Sequence, residues 1–109
     1  MESFLLKFYM REGDHHHGRP VWEWLMEQAN MLGISGGSAF RAIAGFGRHH
    51  TLHEDRFVEL AGTIAVAVEF VLSESQSTQL LELIQRENLH LPYVRSSVFF
   101  GMTGPVIRD

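Results

Sequence analysis

The chain has 109 residues, of which 45% are hydrophobic and 20% charged, and its formal net charge is -4. This composition predicts one globular domain, residues 1–109, and excludes a disordered chain; the negative charge argues against broad nucleic-acid binding, which needs clustered Lys and Arg. There is no cysteine, which excludes disulfides, thiolate metal sites and a cysteine nucleophile. No apolar run approaches the ~20 residues of a membrane helix, so we expect a soluble, cytoplasmic protein without membrane insertion.

The first predicted elements are a strand and a helix separated by a polar loop. Hydrophobic residues alternate from Ser3 to Arg11, which predicts a strand. The loop, residues 12–18, carries three consecutive histidines. Pro20 suits the first position of a helix, because proline lacks an N–H that would have no partner there, and Gly33 is a typical helix stop.

Two strands, a helix and a last strand follow. Residues 38–44 predict the second strand, and Thr63 to Leu72 is apolar on both sides, which is typical of a central strand. Ser73 and Gln76 form a capping-box pattern that opens a second helix, ending near Asn88. Residues 94–100 alternate again and predict the fourth strand.

This order of elements predicts an α+β, ferredoxin-like βαββαβ fold, with two helices on one face of a four-stranded antiparallel sheet. The other face would be left bare. We expect it to carry both charged and apolar side chains, too apolar to remain exposed, so that a closed ring of copies would cover it. The residues assigned to this bare face are Leu5, Lys7, Tyr9, Arg41, Ala65, Ala67, Glu69, Val71, Arg95 and Phe99.

The stretch after the second strand is the best candidate for a functional site. Gly45 and Gly47 are one residue apart and lead into a polar segment with three histidines and an arginine. Two such glycines allow positive φ and a close approach to a ligand or another chain. The alternative is that Gly45–Gly47 is only a bulge or a tight exit from a strand.

Several segments resemble a known family over about residues 3 to 90. They are Leu5-Leu6-Lys7-Phe8-Tyr9, Arg19-Pro20-Val21-Trp22-Glu23-Trp24-Leu25, Leu32-Gly33-Ile34-Ser35-Gly36, and Ala39-Phe40-Arg41-Ala42-Ile43-Ala44-Gly45-Phe46-Gly47 with Leu52-His53. The pattern is similar to domain of unknown function 190, in the PII-like (GlnB-like) superfamily. The resemblance implies a ferredoxin-like protomer, a homotrimer and a mobile loop after the second strand.

The resemblance also implies a signalling or regulatory protein that binds an adenine nucleotide (AMP, ADP or ATP) in clefts between protomers. Arginine offers a bidentate fork to phosphate, and glycine N–H groups can form an anion-binding concavity. The candidate ligand contacts are Arg41, Gly45, Phe46, Gly47, Arg48, His53, Arg95 and Arg108. For Arg41 the alternative is a charge pair with Glu69 inside the oligomer. A regulated partner, a membrane transporter or an enzyme, would dock on Gly45–Leu60.

Divalent-metal binding by loop histidines is the alternative function. His49 and His53 are four residues apart, a spacing that converges on a metal in a helical segment, and the triplet at 15–17 adds nitrogen ligands. Clustered histidines are also compatible with pH sensing. An enzyme is the weakest hypothesis, because no Ser-His-Asp pattern, P-loop or carboxylate pair stands out.

Overall fold

The computed structural model describes residues 2–45 and 65–105. Its elements are β1 (Glu2–Arg11), β2 (His15–His16), β3 (Arg19–Pro20), α1 (Val21–Met31), β4 (Gly37–Arg41), β5 (Ala65–Leu72), α2 (Glu74–Arg86) and β6 (Tyr93–Phe99). All four predicted strands and both predicted helices are present. The second strand ends three residues earlier than expected, at Arg41. Neither described helix is long and apolar enough to cross a membrane.

The main sheet has four strands in the order β4-β5-β1-β6. Every neighbouring pair is antiparallel. The two central strands are therefore the first and third main strands of the chain, which is the arrangement of a ferredoxin-like fold. This confirms the predicted α+β class.

Both helices pack on one side of the sheet, which we call the covered face. Alternate residues of β1 and β5 point into this layer, as their period-two patterns predicted, and meet the apolar stripes of α1 and α2. The most deeply buried residues of the core are Leu6, Phe8, Val68, Phe70, Leu25 and Leu80. These residues make the protomer's core.

One end of each helix is closed by a motif that the sequence predicted. In the capping box of α2, Gln76 N–H donates to Ser73 Oγ and Ser73 N–H donates to Gln76 Oε1, both at 3.1 Å. At the end of α1, Gly33 has φ 82°, a left-handed conformation that suits glycine. Pro20 is the residue before the first turn of α1 rather than its first helical position.

The loop predicted at residues 12–18 contains a short hairpin that the sequence did not reveal. Strands β2 and β3 pair His15 with Pro20 and His16 with Arg19. His17 and Gly18 form the two-residue connection with φ 55° and 77°. Positive φ at both positions is typical of a type I′ turn, which usually takes Asn-Gly. Because His17 replaces the usual asparagine, the sequence lacks the Asn-Gly pair that would have predicted this hairpin.

The register corrects the predicted faces of the two edge strands. Arg41 lies opposite Val66, and Arg95 lies opposite Leu6, so both arginines are on the covered side of the sheet rather than the bare side. Phe99 pairs with Glu2 and shares this side. A shift of one residue in phase reverses every side chain of a strand, and the mixed composition of edge strands does not reveal the phase.

The opposite side of the sheet, which we call the open face, is covered by neither described helix. Its members are Ser3, Leu5, Lys7, Tyr9, Arg11, Ser38, Phe40, Ala65, Ala67, Glu69, Val71, Val94, Ser96 and Val98. Lys7 and Glu69 lie opposite each other at its centre. Phe40 is 53% exposed and Val94 48%. Eight of these fourteen residues are apolar or aromatic, and the three charged ones are Lys7, Arg11 and Glu69.

Candidate ligand-binding site

One end of the sheet gathers most of the described candidate residues. At this end, β1 finishes at Arg11 and β4 at Arg41, while β5 begins at Ala65 and β6 at Tyr93. We call it the loop end, because the segment after β4 leaves from it. An open pocket of about 270 Å³ lies here. It is lined by Tyr9, Met10, Arg11, Asp14, His90, Leu91 and Pro92.

Backbone hydrogen bonds hold the walls of this pocket in place. Tyr9 N–H donates to Pro92 O at 3.0 Å, which fixes the connection before β6 against β1. Asp14 accepts from Arg11 N–H at 3.1 Å, and Asp14 N–H donates to Arg11 O at the same distance. The pocket therefore has a fixed backbone frame, and its lining carries a cation, a carboxylate and an imidazole.

Arg41 ends β4 and forms a bidentate pair with Glu12. Its Nε lies 2.9 Å from Glu12 Oε1, and its Nη2 contacts Oε2. The hydrogen bond from Arg41 lowers the pKa of Glu12 below its ordinary value and raises the pKa of Arg41. The expected alternative partner of Arg41 within the oligomer was Glu69, but in the protomer Glu69 lies opposite Lys7 on the open face.

Arg95 lies on the other edge strand, β6. Its guanidinium sits 4.1 Å from the centre of the Phe4 ring, a cation–π contact, and its Nη2 is 3.9 Å from Glu74 Oε2 at the start of α2. Both contacts are local, and the Arg95 side chain is 35% exposed. The guanidinium thus keeps donors available.

Arg41 and Arg95 are far apart in one protomer. They lie on opposite edge strands of the sheet. Arg41 is level with Met10 of β1, since both pair with Val66, whereas Arg95 pairs with Leu6. Strand spacing and rise per residue place their Cα atoms about 20 Å apart. In the protomer their contacts are separate, Glu12 for Arg41 and Phe4 with Glu74 for Arg95.

Gly45 is the last residue described before the loop. Its φ is not positive, and an added Cβ would meet nothing within 4 Å among the described residues, so these residues give no steric reason for glycine at this position. Close approach to a ligand or a second chain remains a prediction. Six of the predicted site residues lie outside the described residues: Phe46, Gly47, Arg48, His49, His53 and Arg108.

The sequence did not single out Glu12, Arg11, Asp14 or His90 as site residues. They come from the loop after β1 and from the connection before β6, which are far apart in the chain. The predicted strand order was the available signal, because it places the end of the first strand beside the start of the fourth. The same order places the end of the second strand nearby.

Comparison with solved structures identifies the class of this fold as PII-like. CPII from Thiomonas intermedia K12, a nitrogen regulatory PII-like protein solved with ADP, AMP and bicarbonate, aligns with a TM-score of 0.63 and 16% identity over 94% of this chain and 97% of that one. A protein from Thermus thermophilus described as PII-like and signalling aligns with a TM-score of 0.61 and 17% identity, over 90% and 87%.

The chain belongs to the DUF190 family, described as an uncharacterized ACR, whose model matches residues 3–90. The UPF0166 protein of Aquifex aeolicus is 31% identical over 81 residues, 74% of this chain and 77% of the relative. A UPF0166 protein of Methanocaldococcus jannaschii is also 31% identical over 81 residues, 74% of each chain. The family and the PII-like fold predicted from the resemblance are thereby confirmed.

Proposed function

We propose that this protein is a cytoplasmic, homotrimeric PII-like signalling protein that binds an adenine nucleotide in clefts between its protomers, at the loop end of the sheet. The observation that carries the proposal is the position of two predicted contacts, Arg41 and Arg95, on opposite edges of one sheet. Arg41 and the pocket near the end of β1 supply one half of a site. Arg95 on β6 would supply the other half from a neighbouring chain.

The open face supports the assembly. It exposes Phe40 and Val94 beside half-buried Leu5 and Val71, with Lys7 and Glu69 of opposite charge at its centre. Packing this face against its copies would bury the apolar surface and keep the two charges together. A closed ring brings the β4 edge of one protomer near a different edge of the next, because a cyclic interface joins unlike surfaces.

The ion pair between Arg41 and Glu12 suggests how phosphate would be recognised. Arg41 presents a planar fork to a carboxylate, which is the same geometry that it would present to a phosphate oxygen pair. Because the side chain of Arg41 is 62% exposed, a ligand can reach it. Glu12 and a nucleotide phosphate would then compete for one guanidinium.

Regulation would follow from the segment after Arg41. A ligand shifts a conformational equilibrium only through different affinities for the two states. A nucleotide that draws Arg41 from Glu12 would change a contact four residues before Gly45, and with it the conformation of the following loop. We propose that a membrane transporter or an enzyme binds this loop, Gly45–Leu60, and is regulated by its conformation. The protein itself would then act as a regulator and not as an enzyme.

Calorimetry with AMP, ADP and ATP tests the nucleotide site. We expect one nucleotide per chain, with Arg41→Gln weakening binding about tenfold or more, since a hydrogen bond to a charged group contributes about 1.5–3 kcal/mol. Glu12→Gln should strengthen binding, because it removes the carboxylate that competes for Arg41. Opposite effects from the two partners of one ion pair would not arise from a general loss of stability.

Arg86→Gln is the matched control. Arg86 is an exposed arginine in the last turn of α2 and is absent from the pocket lining, so the same loss of charge should leave affinity unchanged. No heat and no thermal shift with any of the three nucleotides would overturn the proposal. If Arg41→Gln and Arg86→Gln weakened nucleotide binding equally, Arg41 would contribute only through the net charge of the protein and not through a direct contact.

A further inference from the structure

Three side chains with metal-ligating atoms meet between the β2–β3 hairpin and the end of α2. His16 and His17 lie on the β2–β3 hairpin, and Glu87 follows the last turn of α2. The ligand atoms of all three lie within 4.8 Å of one another. This group of one carboxylate and two imidazoles, which we call the His-His-Glu cluster, joins residues about seventy positions apart in the chain.

The backbone on each side of the cluster is fixed. At the end of α2, Asn88 has φ 61°, its N–H donates to Gln85 O at 3.0 Å, and Leu89 N–H donates to Ile84 O at 3.3 Å. These bonds form a Schellman motif that holds Glu87 in place. On the hairpin side, Val21 N–H donates to Asp14 O at 2.9 Å, which fastens the start of α1 to the hairpin's entry.

His16 ends β2 and His17 begins the turn, and the two side chains reach the same carboxylate oxygen. Their Nε2 atoms lie 2.8 and 2.9 Å from Glu87 Oε1, and their ring centres are 4.1 Å apart. The left-handed φ of His17 in the type I′ turn makes this convergence possible. A type I′ turn accepts asparagine or glycine more readily than histidine, so the turn geometry does not explain the imidazole at position 17.

The two histidines of the cluster differ in burial, so that His16 is held rigidly and His17 is accessible to solvent. The His16 side chain is 15% exposed and its ring contacts the edge of Trp24, with centres 4.7 Å apart. The His17 side chain is 65% exposed. The Glu87 side chain is 33% exposed and lies between the two imidazoles. An ion bound here would have one side open to water or to a fourth ligand.

The distances suit a small divalent transition metal. Zinc bonds to nitrogen and oxygen at about 2.0–2.2 Å, so tetrahedral ligand atoms lie about 3.3 Å apart. The present separations of 2.8 and 2.9 Å need to open by only about half an ångström. On binding, each Nε2 gives up its hydrogen and donates a lone pair, while the other ring nitrogen carries the proton.

We propose that His16, His17 and Glu87 form a binding site for Zn²⁺ or a similar divalent transition-metal ion, which links the β2–β3 hairpin to the end of α2. Two imidazoles and one carboxylate are a donor set that zinc uses when it keeps one position for water. The site is different from the predicted pair His49 and His53. It is also independent of the proposed nucleotide cleft, which uses other residues.

Zinc titration calorimetry on chelator-treated protein, purified without a polyhistidine tag or a nickel column, tests the site. We expect one zinc per chain at the cluster and a higher melting temperature with zinc than with chelator. His17→Asn and Glu87→Gln should each weaken zinc binding at least tenfold, because the loss of even an outer-shell partner typically costs about 10–100-fold. Asparagine suits the turn, so His17→Asn does not disturb the hairpin.

His15→Asn is the matched control, since His15 lies on the same hairpin but its Nδ1 is 2.7 Å from Gly13 O rather than facing Glu87. It should bind zinc as the wild type does. The double variant His49→Asn/His53→Asn separates this site from the other histidines and should retain the zinc that His17→Asn loses. Cobalt substitution gives a second readout, because tetrahedral Co²⁺ shows visible absorption that His17→Asn should abolish.

Two results would overturn the proposal. One is that the wild type takes up no zinc in the titration and its melting temperature does not change. The other is that His17→Asn and His15→Asn bind zinc equally well, or that only the His49→Asn/His53→Asn variant loses it. Neither result bears on nucleotide binding, which is measured with different ligands.

Discussion

The two faces of the sheet are made by the same strands, but their side chains have different surroundings. On the covered face, Leu6 and Phe8 of β1 are almost fully buried under α1 and α2. On the open face, their neighbours Leu5 and Lys7 are only half buried, and Tyr9 is 38% exposed. The covered face accounts for the stability of one protomer. The open face, equally regular and with more apolar than polar residues, is where we propose that protomers associate.

A charge in the middle of the open face gives the largest expected effect. Val71 lies beside Glu69 on β5 and opposite Leu5. In a trimer that buries this face, Val71→Lys would place a lysine in each interface where Glu69 already faces Lys7. An uncompensated buried charge costs about 3–5 kcal/mol. We expect sedimentation to show a protomer of 12.4 kDa instead of a trimer.

The control for Val71→Lys is Met31→Lys, at a side chain of α1 that is 78% exposed. It adds the same charge on the helix layer and should leave the assembly intact. If Val71→Lys sedimented as the wild type does, the open face would not be the interface.

Truncation of the core compares the two faces directly. Leu6 and Leu5 are adjacent on β1, one fully buried on the covered face and the other half buried on the open face. Leu6→Ala should lower the free energy of unfolding by about 2–5 kcal/mol, because it leaves a cavity among packed side chains. Urea unfolding at a low, fixed protein concentration should show a clearly smaller loss for Leu5→Ala; equal losses would contradict this difference in packing.

Gly37 tests how tightly the edge strand β4 packs on the covered face. A Cβ at this position would lie 2.5 Å from Cε1 of the buried Phe70 ring, whereas at Gly36 it would meet nothing within 4 Å. Gly37→Ala should therefore cost about 1–3 kcal/mol in thermal or urea unfolding, the usual cost of overpacking. Gly36→Ala is the control and should be nearly neutral. Similar behaviour of the two variants would mean that β4 can move away from Phe70.

The smallest effect concerns the ion pair at the loop end. The pKa of Glu12 is lowered from 4.5 by the hydrogen bond from Arg41. A carboxyl with a lowered pKa in the folded state stabilises the protein above pH 4.5, and this contribution is lost as the pH falls through the lowered pKa. Glu12→Gln should make stability less dependent on pH in this acidic range.

Thermal unfolding between about pH 3 and pH 7 measures this effect, which should be small because the pair is partly exposed. Glu82→Gln, a change of an exposed glutamate on α2, is the control. If the two variants had the same pH profile as the wild type, Arg41 would not hold the Glu12 carboxylate in solution.

The sequence predicted the central parts of the fold better than its edges. Strands β1 and β5 carry a clear alternation, and Ser73 with Gln76 marks the start of α2, because these signals are local. The phase of β4 and β6 could not be read, since edge strands carry polar and apolar residues on both sides. Arg41 and Arg95 were therefore placed on the wrong face.

The candidate site was predictable only in part for the same reason. Arg41 was identified from the resemblance, but its partner Glu12 comes from a loop twenty-nine residues earlier and depends on the strand order. The His-His-Glu cluster depends on a left-handed residue, His17, and on the helix end that holds Glu87. Contacts of this kind come from tertiary structure and leave no short-range pattern.

Sedimentation equilibrium of the wild-type protein without a tag tests the central claim most directly, because the proposed nucleotide site depends on the association of the open faces. We predict a mass three times that of the 12.4 kDa chain across the micromolar range. A single species with the mass of one chain over this range would contradict the account.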